Sequence, residues 1–253
     1  MRSRALAPFG VEISGFQIAS ATPAAIDGVI ELVARHRVAV FRDQHADDAR
    51  FVAFLRLLGE LTFTDGETPV AGAPDLNVVS NVGRTTPPRS VFHTDTSYVE
   101  RPPAFTALRA VRLPRAGGST LFSDQVRAAD RLPRRVRDAL RGRTVRHGLS
   151  NGDAARHPLF RRHPVTGEVA LFLSTPERCS GLSGVDETTS ARAIAALYRH
   201  SIRPPGLYEH PWRDGDIVLW DDRLTMHRAD HAAVAGDRVL HRGMVLGEIP
   251  ISA

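Results

Sequence analysis

The chain has 253 residues, of which 42% are hydrophobic and 24% are charged, the ordinary balance of a soluble globular protein. This length suits a single domain spanning residues 1–253, because no Pro/Gly/Ser-rich linker or repeat divides the sequence. No stretch approaches the roughly 18 apolar residues of a membrane span, and no secretory signal is apparent at the N-terminus. The single cysteine, Cys179, excludes an internal disulfide and fits a reducing cytoplasm.

The net charge of +5 and the pI near 10.4 raise the question of a nucleic-acid partner. The sequence contains no lysine, however, and its arginines are scattered among acidic residues. Only residues 127–146 are locally basic, and their arginines alternate with apolar residues at helical spacing, which favours a solvated helix face. The alternative is a surface that binds an anion or a partner. We therefore expect neither a nucleic-acid nor a membrane partner.

The N-terminal part of the chain predicts two helices with a strand between them. Thr22 and Pro23 form an N-cap followed by proline at the first helical position, and an apolar stripe continues towards Arg35. His36–Phe41 is short and rich in valine, which indicates a strand. A second amphipathic helix ends near Gly59.

Beyond this point the pattern is mostly of short strands with a few helices. Strands are predicted at Leu76–Ser80, Ser90–His93, Phe105–Arg112, Gly118–Phe122, Val169–Leu173, Asp216–Trp220 and Val239–Ile249. Helices are predicted at Leu132–Arg141 and Thr188–His200. The expected fold class is mostly β with flanking helices, built on a double-stranded β-helix (jelly-roll) core.

A candidate metal site begins at His93 and Asp95. If Val91–Asp95 is extended, the period of two places both side chains on one face, where they can bind one metal ion. His227 would supply the third ligand. Two imidazoles and one carboxylate leave three adjacent octahedral positions open, which suits non-heme Fe(II) that activates dioxygen. The simpler alternatives are a polar loop edge for the first pair and a half-buried structural histidine for the third residue.

A second candidate feature lies in the predicted strand Val239–Ile249. Alternation places Arg238 and Arg242 on the same face as three apolar residues. Charges that point into a barrel are costly unless an anion compensates them, so the pattern indicates a bound acid. The alternative is pairing with one of three nearby aspartates: Asp221, Asp222 and Asp230.

These features coincide with a family resemblance over nearly the whole chain. The chain resembles the taurine dioxygenase / 2,4-dichlorophenoxyacetate dioxygenase (TauD/TfdA) family of Fe(II)- and 2-oxoglutarate-dependent oxygenases. The blocks that carry the resemblance are GVEISG (Gly10–Gly15), HRVAVFRDQ (His36–Gln44), LLGELTF (Leu57–Phe63), FHTDTSYVERPP (Phe92–Pro103), LPRAGGSTLFSD (Leu113–Asp124), GDIVLWDDRLTMHRADH (Gly215–His231) and DRVLHRGMVLGE (Asp237–Glu248).

The resemblance implies a role for each matching residue. His93, Asp95 and His227 correspond to the iron ligands. Thr120 corresponds to the hydroxyl that contacts 2-oxoglutarate, and Arg238 to the arginine that pairs with the distal carboxylate of this cosubstrate. The match for Arg242 is a second arginine that in relatives touches the cosubstrate or an anionic substrate.

The implied reaction oxidises a substrate C–H bond, with dioxygen as a second cosubstrate and conversion of 2-oxoglutarate to succinate. The carboxylate of Asp95 argues against halogenation, so hydroxylation is favoured over desaturation or fragmentation. The expected substrate is a small anionic or zwitterionic molecule, with Asn81, Arg89 and Arg242 as candidate contacts. Taurine itself is not expected, because Thr62–Val70 lacks the histidine and tyrosine of taurine-specific relatives.

The sequence also departs from the family pattern at two positions. Asp222 stands where WDNR is common in the family, and Ser174 replaces a frequent asparagine. Neither change removes a metal ligand, but both bear on the hydrogen bonds around the site.

Two other classes of function stay open at this point. The first is a noncatalytic jelly-roll metal-binding protein that engages nucleic acid or a protein partner through its basic surface. The second is a zinc hydrolase, which would act without 2-oxoglutarate. The resemblance further suggests a homo-oligomer, and the single cysteine suggests a cytoplasmic protein.

Overall fold

A computed structural model describes residues 1–84, 90–148, 152–204 and 206–253. The helices in these residues are α1 (Pro23–His36), α2 (Asp48–Leu58), α3 (Gln125–Asp130), α4 (Arg134–Leu140) and α5 (Glu187–Ser201). The first strands are β1 (Arg2–Ala5), β2 (Val11–Ser14), β3 (Val38–Phe41), β4 (Leu61–Thr62), β5 (Pro69–Val70), β6 (Ala73–Ser80), β7 (Pro103–Arg112), β8 (Thr120–Asp124) and β9 (Thr144–Gly148). They are followed by β10 (Ala154–Pro158), β11 (Phe160–Arg162), β12 (Val169–Leu171), β13 (Cys179–Ser180), β14 (Leu207–His210), β15 (Ile217–Asp221), β16 (Thr225–Ala229), β17 (Val239–Leu246) and β18 (Ile251–Ser252).

A large sheet and a small sheet enclose the central core. The large sheet has the order β1-β2-β3-β15-β7-β17-β6-β5, with β4 paired to β17. The small sheet has the order β14-β8-β16, and both of its pairings are antiparallel. Strands distant in sequence are neighbours in both sheets, as in a jelly roll, so the predicted fold class is confirmed.

Strand β15 shows why the large sheet is covered on both faces. Ile217 and Leu219 belong to the core cluster that includes the apolar side chains of α1 and α2. Val218 and Trp220 belong instead to the cluster shared with the small sheet. Successive side chains of a strand point to opposite faces, so an unbroken apolar run buries both faces at once.

The two N-terminal helices form where the sequence predicted them. Pro23 occupies the first turn of α1, where a missing N–H costs nothing, and the apolar stripe of this helix packs on the sheet. In α2 the Asp47 side chain accepts a hydrogen bond from the N–H of Arg50 and caps the helix. These helices cover the large sheet on the face away from the small sheet.

Residues 125–201 contribute a separate layer of short elements with its own core. The side chains of this cluster come from α3, α5, β9, β11, β12 and β13 and from the loops between them. The locally basic stretch forms α3 and α4, and α4 has no buried residue, which agrees with a solvated helix face. None of the helices in the described residues combines the length and apolar character that a bilayer span requires.

All but one of the predicted strands agree with the structure to within three residues at each end. The segment Ser90–His93 is not a strand: only His93 makes an isolated antiparallel bridge, with His227. A positive φ of 43° at Thr96 turns the chain just afterwards, so Val91–Asp95 is not a regular extended segment. Strand β17 ends at Leu246 rather than at Ile249, after a register shift between Val245 and Leu246.

Candidate metal centre

His93, Asp95 and His227 meet at the edge of the small sheet that β16 forms. His227 lies in β16, and reciprocal backbone hydrogen bonds of 3.0 and 2.9 Å join it to His93. The side chain of Thr94 donates to the carbonyl of Leu173 and anchors the connecting residue. The bridge therefore holds the two imidazoles side by side. The sequence argument that placed His93 and Asp95 on one face assumed a strand, and this strand does not form.

The ligand atoms of the three side chains converge. His93 Nε2 lies 3.5 Å from Asp95 Oδ1, and His227 Nε2 lies 3.7 Å from Asp95 Oδ2. All three ligand atoms lie within 4.8 Å of one another, and no other such group occurs in the described ranges. The separation allows one ion to touch all three residues.

Hydrogen bonding and burial give these groups the protonation states of metal ligands. The Nδ1 atom of His93 lies 2.9 Å from the carbonyl of Val91, so its N–H donates there and Nε2 keeps its lone pair. Burial lowers the pKa of His227 to about 3, which keeps this imidazole neutral at physiological pH. Burial alone would raise the pKa of Asp95, but the positive charge of the nearby Arg242 outweighs burial and holds this pKa below its usual range.

This donor set fits a catalytic metal ion rather than a closed structural one. Two neutral imidazoles and one carboxylate form the facial arrangement of non-heme Fe(II) sites. His93 and Asp95 also line a cavity of about 180 Å³, so the metal position is open on the side of the cavity. The other cavity-lining residues are Thr64, Glu67, Val91, Thr96, Tyr98, Thr175, Arg178 and Arg242.

Arg238 is a buried guanidinium without a counter-ion among the described residues. Its Nε donates to the carbonyl of Gly118 at 2.8 Å, and its Nη2 donates to Thr120 Oγ1 at 3.2 Å. The side chain is only 1% exposed, and burial lowers its pKa to about 10. A buried cation with only neutral partners requires an anion, so Thr120 and Arg238 fit one end of a dicarboxylate.

In the described parts of the chain, neither Arg238 nor Arg242 pairs with one of the three aspartates considered above, Asp221, Asp222 and Asp230. Asp221 binds Arg223 and His163 instead. Arg242 contacts Asp95 Oδ1 through Nη1 at 3.2 Å, and its Nη2 lies 3.7 Å from Glu67 Oε1. Arg242 therefore faces the candidate metal ligand and the cavity, while Arg238 lies beside Thr120.

The remaining predicted site residues have other positions. The Asn81 side chain accepts from the N–H of Arg238 at 2.8 Å and donates to the carbonyl of Gly236 at 3.0 Å. Asn81 thus holds the backbone that carries Arg238. Arg89 lies outside the described residues. Cys179 is a buried free thiol, and burial raises its pKa to about 12.

Sequence reasoning missed several side chains around the site. Thr106 Oγ1 lies 3.2 Å from Asp95 Oδ2, and Trp212 Nε1 donates to Thr120 Oγ1 at 3.0 Å. The sequence does mark Thr106 in one way, because it is a polar residue within an otherwise apolar part of β7. Arg178 and Thr175 reach the cavity from a loop whose position only the tertiary structure defines.

Comparison with known proteins agrees with this geometry. The family model described as taurine catabolism dioxygenase TauD, TfdA family matches residues 2–244. An alpha-ketoglutarate-dependent sulfate ester dioxygenase from Pseudomonas putida is 29% identical over 96% of this chain and 88% of its own length. A crystal structure of a taurine dioxygenase from Burkholderia xenovorans superposes with a TM-score of 0.88 at 28% identity, covering 99% of this chain and 92% of that one.

A third relative was solved with ligands. The crystal structure of AAD-2 in complex with Mn(II) and N-oxalylglycine has a TM-score of 0.85 and 26% identity, with 98% of each chain covered. Similarity thus extends over the entire sheet framework and over the segments that carry the three converging side chains. The chain belongs to the TauD/TfdA family of dioxygenases.

Proposed function

We propose that His93, Asp95 and His227 bind one Fe(II) ion. The enzyme class follows from the family: the protein is a 2-oxoglutarate-dependent non-heme iron dioxygenase. The observation that carries the proposed ligand set is the convergence of two imidazole nitrogens and one carboxylate within 4.8 Å. Mn(II) and N-oxalylglycine, an analogue of 2-oxoglutarate, in the related AAD-2 structure support the same combination of metal and keto acid.

In this proposal Thr120 and Arg238 bind the distal carboxylate of 2-oxoglutarate. The guanidinium is buried, and Gly118 and Thr120 fix its orientation, so little conformational entropy is lost when the anion arrives. A carboxylate would supply the charge that the described residues do not provide. Asn81 supports this arrangement through the backbone of Arg238.

When bound, iron supplies the oxidising chemistry, in which 2-oxoglutarate is decarboxylated to succinate and a substrate C–H bond is oxidised, most simply by hydroxylation. The chain itself positions the reactants. The contact of Nδ1 with the carbonyl of Val91 orients His93, burial keeps His227 neutral, and Asp95 stays ionised beside Arg242. C–H cleavage of this kind needs no general base from the protein.

We infer that the substrate is a small anionic molecule. Two guanidiniums, those of Arg242 and Arg178, line the cavity beside the candidate metal ligands. Arg178 stacks over the ring of Tyr98 at 5.9 Å. A relative acts on sulfate esters, and an alkyl sulfate or sulfonate has the charge and the size for a cavity of about 180 Å³. A zwitterion is also accommodated, because Glu67 offers an acidic partner on the same wall.

Anaerobic titration tests the centre before any substrate is known. Addition of Fe(II) and 2-oxoglutarate should produce a metal-to-ligand charge-transfer band, and small acids that bind nearby should perturb it. Alkyl sulfates, alkanesulfonates and aryloxyacetates that perturb the band should then stimulate oxygen-dependent succinate formation. Turnover without 2-oxoglutarate or oxygen would point to a hydrolase, and salt-sensitive nucleic-acid binding without turnover would point to the noncatalytic alternative.

The single-domain organisation expected for residues 1–253 belongs to the same proposal. It is supported by a family match from residue 2 to residue 244 and by the continuous large sheet, which joins β1 near the start of the chain to β17 near its end. The homo-oligomer and the cytoplasmic location stay predictions.

A further inference from the structure

Two consecutive aspartates at the end of β15 are both buried but have opposite surroundings. Asp221 is 0% exposed and receives Arg223 through Nε at 2.8 Å and Nη2 at 2.6 Å, together with His163 Nε2 at 3.0 Å. Asp222 is 1% exposed. Its only hydrogen-bond partners among the described side chains are Thr106 and Trp220, both of them neutral. One carboxyl group therefore has full cationic compensation, and the other has none.

The hydrogen atoms available around Asp222 can be counted. Trp220 Nε1 donates to Asp222 Oδ1 at 3.0 Å. Thr106 Oγ1 lies 2.5 Å from Asp222 Oδ2 and 3.2 Å from Asp95 Oδ2, and it carries a single hydrogen. If both carboxyl groups were ionised, one of these two contacts would join oxygens with no hydrogen between them. A proton on Asp222 Oδ2 gives every contact its own hydrogen.

The assignment of that proton follows from the surroundings. Asp95 has the guanidinium of Arg242 as a cationic neighbour, with Nη1 3.2 Å from Oδ1, so it retains its charge. Asp222 has none of these, and an ionised carboxylate buried without a cation is unfavourable. Burial, followed by the proximity of Asp95, holds the pKa of Asp222 well above its usual range.

We propose that Asp222 is a neutral carboxylic acid that donates to Thr106, whose hydroxyl donates in turn to Asp95 and fixes the orientation of this carboxylate. Asp222 is thus a positioning residue, not a catalytic one, and its effect on the metal rests on the proposed role of Asp95. The chain Trp220, Asp222, Thr106 and Asp95 runs in one direction. An asparagine at position 222 would preserve it, because the amide NH₂ donates and the amide oxygen accepts.

Infrared spectroscopy tests the protonation state directly. Folded wild-type protein at pH 7, with and without Mn(II) and 2-oxoglutarate, should show the C=O stretching band of one buried protonated carboxyl group. Asp222→Asn should lose this band, whereas Asp48→Asn should retain it, because Asp48 is paired with Arg109 and His241. A wild-type spectrum without the band would overturn the proposal whether or not the protein binds metal.

Mn(II) titration tests the positioning role. Asp222→Asn should bind Mn(II) within about threefold of wild type, whereas Asp222→Leu and Thr106→Val should bind it about 10- to 100-fold more weakly, as for other groups that orient metal ligands. Thr106→Val serves as the second variant if Asp222→Leu does not fold, and circular dichroism checks both. Equal weakening in Asp222→Asn, or no weakening in Thr106→Val, contradicts the proposal. Wild-type protein that binds no Mn(II) contradicts the metal site instead, and the infrared result still decides the state of Asp222.

Discussion

The pairing of each buried charge separates structural residues from candidate functional ones. Arg223 lies in a complete ion pair with Asp221 and needs nothing further. Arg238 is equally buried, but its described partners are a carbonyl and a hydroxyl. Breaking the first arrangement exposes an uncompensated charge, whereas the second already contains one and gains from a bound anion. A buried cation such as that of Arg238 destabilises the folded chain but favours binding of an anionic ligand.

Loss of one imidazole should abolish tight metal binding. His227→Gln removes one of three ligand atoms while keeping a polar side chain of similar length. We expect Mn(II) affinity to fall by at least about 100-fold, because three protein ligands define the site. His45→Gln, at an exposed histidine, is the matched control and should bind like wild type. Isothermal titration measures both, and unchanged affinity in His227→Gln would exclude this residue as a ligand.

Arg238→Gln should weaken 2-oxoglutarate binding without lowering the free energy of unfolding. A hydrogen bond to a charged group contributes about 1.5–3 kcal/mol, so 2-oxoglutarate should bind roughly 10- to 100-fold more weakly. Stability without ligand should be unchanged or higher, because an unpaired buried cation is removed. Arg112→Gln, at an exposed arginine paired with Asp237, is the control. Binding is measured by competition with N-oxalylglycine and stability by thermal unfolding. A variant with weaker folding and normal cosubstrate affinity would refute this assignment.

At the scale of elements, regular periodicity was predictable and irregular backbone was not. The bounds of α1 and α2 follow from a proline, a cap and an apolar stripe that are all local in sequence. The segment around His93 has no such local signal, because its position depends on a bridge to His227, 134 residues away. The candidate ligands could be named from the sequence by residue type and motif, and the structure brings all three together. The Thr106 contact could not, because β7 meets Asp95 only in three dimensions.

Gly243 in β17 should be intolerant of any side chain. A Cβ placed there would meet Leu55 and Leu76, both in the core beneath the sheet. Gly243→Ala should therefore lower the free energy of unfolding by about 1–3 kcal/mol and weaken 2-oxoglutarate binding, because β17 leads directly from Arg238 to Arg242.

A glycine with open surroundings provides the control for this substitution. Gly28 lies in α1, where an added Cβ would come no closer than 3.6 Å to Met1. Gly28→Ala should raise the free energy of unfolding by about 0.5–1 kcal/mol, since alanine is the better helix former. Urea unfolding measures both variants. Equal stability changes would show that packing against β17 is not the cause.

For the whole molecule, acid sensitivity follows from histidines that are buried in their neutral form. Burial lowers the pKa of His147 to about 3, with His157 as a second contributor. The unfolded chain binds this proton near pH 6.5, and the native state binds it only near pH 3. Below pH 6.5 the unfolded state therefore holds more protons than the native state. As the pH decreases, the free energy of unfolding falls by about 1.4 kcal/mol per pH unit for this residue alone.

Between pH 6 and pH 4, His147→Gln should reduce the slope of the free energy of unfolding against pH by the contribution of about one proton. Urea unfolding of wild type and variant at several pH values provides the measurement. Salt-bridged carboxylates such as Asp216, whose pKa is lowered by His210, Arg213 and Arg42 against the effect of burial, lose their contribution only at lower pH. Parallel slopes for the two proteins down to pH 4 would mean that His147 is not the buried neutral group responsible.

The burial of Cys179 has a practical consequence for labelling. Maleimides attack thiolates, and a thiol with a pKa near 12 and 3% exposure is essentially unreactive at neutral pH. An engineered cysteine at an exposed position such as Val82 would therefore accept a fluorophore at one defined point, with the native thiol left in place. The same silent thiol becomes reactive when the chain opens, so its rate of modification in unlabelled protein reports how often the molecule unfolds.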